Sequence, residues 1–330
     1  MKSQTINYNA ITQNRMNITI PDPTTPECTF LDPIQNVHTI RSRRLILQAA
    51  DAARPKNGVQ LLSGKQRQQV GGMERAIVIG AGRCREIPLA GLLERCDRLI
   101  LTDIDADRLK YGMEETPLTA QQRQRIDTQV GDVLGLASPF HEAINECFSQ
   151  DWWSGPAQQF LIERMASIAK KLQPAPRPQR GRFDLVIASC VLSQLHLGAF
   201  QRAFGLFARR GNDQRRLQEA PQWVEAARGL AGRMQRKFIK MLEQWIRPRG
   251  RIYLAATPRV SRIELCPGQQ KWKAHPPAPM TDHTALADFI DESRFVIETR
   301  STWLWADPSP CPEKPGNLFE VEAMILAPRE

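Results

Sequence analysis

The chain has 330 residues, 42% of them apolar and 24% charged, with a formal net charge of +10 at pH 7. That length can bury one large core, or one core plus appendages, and no apolar run reaches the roughly 18 residues of a membrane span. The start, residues 1–30, is polar and has no basic-then-apolar signal pattern, so a soluble cytoplasmic protein with no membrane partner is expected.

Residues 1–30 show no periodicity and predict a loose arm. From Asp32 to about Ala53, Ile34, Val37, Ile40, Leu45, Ile46 and Ala49 recur at mostly helical spacing. Residues 54–72 hold a short helical candidate between Pro55 and the pair Gly71-Gly72. Residues 1–72 therefore read as an arm and helical cap, and 73–330 as the main domain.

That domain opens with a short apolar run, Ala76–Ile79, with no alternation, as in a strand buried on both faces of a parallel sheet. A tight Gly80-Ala81-Gly82 turn follows, then a helix through Leu89, Leu92 and Leu93. A second strand covers Leu99–Thr102, a helix starts near Ala106, and Arg125–Val130 offers a third strand before Gly131-Asp132. Pro139–Leu172 reads as helical with a break near Ser154-Gly155-Pro156, and Gln173–Arg182 as a Pro- and Arg-rich loop.

Phe183–Ser189 is the clearest strand of the second half. Helices are predicted over Leu192–Arg210 and Pro221–Ile246; in the latter, Trp223, Ala227, Leu230, Met234, Phe238, Met241 and Trp245 trace one apolar stripe. Pro248-Arg249-Gly250 predicts a turn into strand Arg251–Ala256. A helix at Thr284–Glu292 and strands Phe295–Thr299 and Phe319–Leu326 complete a doubly wound α/β domain.

Charge and cysteine usage bound the partners. Residues 173–262 hold 18 Arg and Lys against 5 Asp and Glu, a density that suits nucleic acid, an acidic substrate or a solvated helix face. The seven cysteines are widely spaced with no CxxC, which predicts reduced thiols and no metal site.

Three strand ends carry cofactor signals. Gly80 and Gly82 let the backbone turn sharply beside a ligand, and the following helix N-terminus favours electron-rich groups. Asp103 can accept both hydroxyls of a ribose, and Asp132 an adenine amino group. A dinucleotide fingerprint would need a third glycine where Arg85 stands, and no GxxxxGK[ST] occurs.

The ordered series VIGAGRCREIPL, LILTDID, QVGDVLGL, FDLVIASCVLSQLH and IRPRGRIYLAA resembles the motif set of class I S-adenosylmethionine-dependent methyltransferases, across about residues 74–256. The resemblance implies a Rossmann-like seven-stranded sheet of order 3-2-1-4-5-7-6, its last strand antiparallel. It also implies that Gly80, Ala81 and Gly82 cradle the methionine portion, Asp103 the ribose, and Ile104 the adenine. Asp132 and Val133 would border the base, with Ser189 and Cys190 facing the site from strand four. Two positions depart from the pattern: Val78 stands where the family often has an acid, and Cys84 where it has a third glycine. Glu86 is a candidate replacement for the missing acid.

Methyl transfer from a sulfonium is a direct displacement, so a base is needed only for a nucleophile that arrives protonated. His196 is the candidate base, Gln194 a candidate orienter, and His283 a second histidine within reach. Trp303 and Trp305 suit either a wall for a flat substrate or packing on a sheet. The expected acceptor is a small molecule; an RNA acceptor bound by the basic segment, and a non-catalytic protein that retains the fold, are the alternatives.

Overall fold

The computed structural model describes residues 32–53, 73–135, 137–149, 161, 163–164, 166–168, 170, 182–192, 194–195, 221–265, 272–274, 278–279, 290, 293–307 and 316–329. Their central sheet contains β1 (Met73–Ile79), β2 (Cys96–Asp103), β3 (Ile126–Val130), β4 (Phe183–Ala188) and β5 (Ile246–Leu265). Two short strands, β6 (Trp272–Ala274) and β7 (Ala278–Pro279), pair with β5, and two long ones, β8 (Phe295–Asp307) and β9 (Gly316–Pro328), complete the sheet. The order is β3-β2-β1-β4-β5-β9-β8; without β6 and β7 this is 3-2-1-4-5-7-6. The five strands from β3 to β5 are parallel, and β9 runs antiparallel to both its neighbours. This is the order expected of the class I methyltransferase fold.

Alternation along the buried strands builds two cores. In β1, Ile77 and Ile79 face one cluster while Ala76 and Val78 face the other. The first cluster is closed by α5 (Ala137–Ser149) and α6 (Pro221–Trp245). On α6, Leu230, Met234, Phe238, Met241 and Trp245 are buried, as their spacing predicts, and Arg236 and Lys240 are exposed. The second cluster lies under α1 (Asp32–Ala52), α2 (Leu89–Leu93) and α3 (Ala106–Glu115). Leu45, Ile46, Ala49 and Ala50 of α1 share it with Val78, Tyr253 and Trp303, so this helix packs on the face of the sheet. A short helix, α4 (Ala120–Arg123), begins with a Thr119 capping box and leads into edge strand β3.

Two expectations change. Pro248-Arg249-Gly250 is an irregularity inside β5: pairing jumps from Phe183↔Ile246 to Leu185↔Arg251. Arg247 holds the bulge by pairing with Asp184 at 2.9 Å and Glu74 at 2.7 Å. A side chain at Gly250 would stand 2.8 Å from the Asp184 carbonyl oxygen. Strands β5, β8 and β9 also run well past the predicted Arg251–Ala256, Phe295–Thr299 and Phe319–Leu326, because they pair with one another beyond the parallel part of the sheet. Trp303 and Trp305 thus belong to a strand. The helix candidate in 54–72 and most of those in Leu192–Arg210 and Thr284–Glu292 lie outside the described residues.

Candidate functional site

The site is built at the carboxyl ends of β1, β2, β3 and β4. The turn after β1 is pinned to β2: Gly80 and Ala81 both donate their backbone N–H to the Thr102 carbonyl, at 2.9 and 3.1 Å. Gly80 and Gly82 take left-handed conformations, φ 69° and 50°, and Cys84 continues the same path at φ 57°. Cys84 therefore holds the backbone shape a third glycine would hold, at the strain a side chain meets in that region. Its thiol is buried, and burial together with the Asp103 charge pushes it up to about 11. Gly112 of α3 lets the turn sit down: a Cβ there would be 2.6 Å from the Arg83 carbonyl carbon.

One expectation about the turn is corrected. Residues 83–88 make successive turns, and α2 starts only at Leu89 behind Pro88. No helix N-terminus stands directly behind the glycines, which removes the usual seat of a dinucleotide pyrophosphate.

Asp103 is tied to the turn. Its Oδ2 accepts from the Gly82 N–H at 2.7 Å and its Oδ1 from the Asp105 N–H at 2.9 Å. A carboxylate has about four lone-pair positions, so two remain for a ligand. Ile104 beside it is 64% exposed, and Val130 at the end of β3 is 58% exposed. Asp132 accepts the Leu134 N–H at 2.9 Å through Oδ1, with Val133 half-buried beside it. Arg83 lies over the Tyr111 ring, 5.7 Å from its centroid.

At the end of β4, Ser189 and Cys190 go different ways. Ser189 donates its hydroxyl to Glu86 Oε2 at 2.8 Å. Cys190, at φ 54°, packs in the second core with its backbone N–H on the Ala255 carbonyl, and burial pushes its thiol up. The loop continues over the turn, for a Cβ on Gly80 would be 2.3 Å from Val191 Cγ2. Gln194 is exposed, and His196 and His283 lie outside the described residues.

Sequence reasoning missed a buried partner of this site. His38 of α1 accepts from Trp303 Nε1 at 2.9 Å through Nδ1, and its Nε2 is 3.2 Å from Glu86 Oε1. Trp305 stacks on the same imidazole, 4.6 Å between centroids. Both tryptophans therefore brace α1. Arg43 of the same helix donates to the Arg85 carbonyl at 2.6 Å through Nη2. No motif signals these contacts, and the one between His38 and Trp303 joins residues 265 positions apart.

The geometry fits an adenosyl ligand. Among the described residues, a Cβ on Gly82 or on Gly131 would meet nothing within 4 Å, so these leave the ground above both open. Around that ground stand an anchored carboxylate, an exposed isoleucine and a second aspartate, which suits a ribose and a flat base.

No family model matches the chain, and no curated protein matches it. Similar solved structures include S-adenosylmethionine-dependent methyltransferases from Leishmania major, Mesorhizobium loti and Methanosarcina mazei. The first is 12% identical, with 88% of this chain and 74% of that one covered at a TM-score of 0.36. For the second the values are 11%, 84%, 96% and 0.34, and for the third 10%, 78%, 94% and 0.38. Likeness at that level carries no argument by itself, and the fold rests on the strand order.

Proposed function

We propose that the protein is an S-adenosylmethionine-dependent methyltransferase whose acceptor is a small molecule. The observation that carries this reading is the Asp103 carboxylate, held between the Gly82 and Asp105 N–H groups beside a left-handed turn. A sulfonium bound there supplies an electrophilic methyl group for direct displacement.

The chain's own residues have defined tasks. Gly80, Ala81 and Gly82 give the amino-acid portion close backbone approach. Asp103 accepts from the ribose hydroxyls through its remaining lone pairs. Ile104 covers one face of the adenine, while Asp132 and Val133 border its edge. His196 remains the proposed base for an acceptor that arrives protonated, on its sequence position alone. The left-handed Cys84 supports retention of a working turn, since the backbone path survives the loss of the third glycine.

Calorimetric titration of the full chain with S-adenosylmethionine and, separately, NADH tests the reading. Micromolar binding of the sulfonium and none of NADH is expected; the reverse would overturn it. Assay of a metabolite panel with and without RNA then separates the acceptors. An RNA acceptor would show affinity that falls steeply with salt, and a cofactor-bound but inert protein would indicate the non-catalytic alternative.

A further inference from the structure

The turn after β1 carries positive charge on its outer side. Cys84 and Ile87 are buried in the second cluster, while Arg83 and Arg85 are exposed. Being two residues apart, these arginines have Cα atoms within about 7 Å of each other. Arg43 of α1 joins them, its Nε and Nη2 donating to the Arg85 carbonyl at 3.0 and 2.6 Å. At the other end the Arg83 guanidinium lies over the ring of Tyr111, which is 51% exposed. Three guanidinium groups thus line one rim that runs from α1 across the turn to α3.

Among the described residues none of the three meets a carboxylate. Arginines elsewhere do: Arg95 pairs with Asp51 at 2.8 Å, Arg251 with Glu298 at 2.7 Å and Arg98 with Asp127 at 3.4 Å. The acids next to the turn are committed, Glu86 to His38 and Ser189, and Asp103 to the Gly82 and Asp105 N–H groups. Asp105 pairs with Arg108 at 3.3 Å. Like charges held close together repel, and an anion among them relieves that repulsion. Donors are left for it. A guanidinium has five N–H groups; Arg43 spends two on the Arg85 carbonyl, and Arg83 is held by its ring contact alone.

The rim adjoins the proposed cofactor seat without belonging to it. Arg83 follows Gly82 directly, and Glu86, beside Arg85, bonds Ser189 just past β4. An acceptor that reaches the transferred methyl group across the end of β4 therefore passes this edge of the turn. We propose that Arg43, Arg83 and Arg85 receive an anionic group of the acceptor, a phosphate or a carboxylate, whose oxygens guanidinium forks match in pairs. This inference rests on the proposed function and names the class of its substrate: a small molecule that carries such a group apart from the atom to be methylated.

Inorganic pyrophosphate and citrate, titrated separately into the full chain by calorimetry, probe the rim, and the tighter of the two names the group. Arg83→Gln/Arg85→Gln should bind that anion at least about tenfold more weakly, as charge-assisted contacts are lost. Arg236→Gln/Lys240→Gln, which removes the same charge from the exposed side of α6, should stay within about twofold of wild type. The Arg83/Arg85 variant should also bind S-adenosylhomocysteine within about twofold of wild type, which reports that the turn is folded. Equal weakening of the anion in both double variants would mean general charge attraction and overturn the inference, as would wild-type protein that binds neither anion. Loss of S-adenosylhomocysteine in the Arg83/Arg85 variant would overturn it too, because the arginines would then serve the cofactor or brace the turn. Wild-type protein that does not bind S-adenosylhomocysteine would remove the proposed function, and the acceptor with it, whatever the anions do.

Discussion

Replacing Asp103 by Asn tests the centre of the site with the least change in shape. The carboxylate accepts two backbone N–H groups, from Gly82 at 2.7 Å and from Asp105 at 2.9 Å. An amide has one oxygen and one NH2, so in either orientation one backbone N–H faces a donor. Loss of one bond to a charged acceptor costs about 1.5–3 kcal/mol, partly recovered where the half-buried Asp105 N–H turns to water. Urea denaturation should therefore show Asp103→Asn less stable by about 1–3 kcal/mol, with an unchanged m-value. The ribose loses acceptor positions too, so S-adenosylhomocysteine affinity measured by calorimetry should fall by about tenfold or more. A drop in stability with unchanged affinity would show that Asp103 only ties the turn to β2. Unchanged values in both assays would refute the contacts themselves.

Gly112→Ala drives a Cβ to 2.6 Å from the Arg83 carbonyl carbon, and backbone yields less readily than a side chain. Overpacking of about 1–3 kcal/mol is expected by denaturation, together with weaker cofactor binding; a neutral result would mean that α3 does not seat the turn. The lowered pKa of Glu86, where burial raises it but the hydrogen-bond and charge interactions with His38 and the hydrogen bond from Ser189 outweigh that, stabilises the fold above its ordinary value of 4.5. That contribution is lost as pH falls through the lower folded value, so stability should drop between about pH 5 and 3 more in wild type than in Glu86→Gln. Parallel curves for the two proteins would contradict the shift. Burial pushes the Cys84 thiol to about 11 and the Cys96 thiol to about 12, so iodoacetamide at about pH 8 should label them only after unfolding. Rapid native labelling of Cys84, read by mass spectrometry, would show that the turn opens in solution.

The parallel half of the sheet was legible because its strands are buried on both faces and read as unbroken apolar runs, such as Ala76–Ile79 and Phe183–Ser189. The antiparallel ribbon was less so. Its residues pair with each other past the sheet, where polar and aromatic side chains alternate, and Trp303 and Trp305 fall outside any apolar run. Pro248-Arg249-Gly250 carries the composition of a turn, and only the Arg247 pairing with Asp184 and Glu74 marks it as a bulge. In the site, Gly80, Gly82 and Asp103 announce themselves by type and spacing. Cys84 reads as a defect because letters do not record φ; its left-handed backbone makes it a strained substitute. His38 gives no signal at all, since a single histidine on a helix has no spacing partner.

The bond between His38 and Trp303 also orders events in time. Its two ends are 265 residues apart, and synthesis adds roughly 5–20 residues per second. Helix α1 therefore waits on the order of ten to fifty seconds for the strand that receives it. Until β8 arrives, His38 lacks its Trp303 partner and its Trp305 stack, though β1, β2 and β4 are already free to pair.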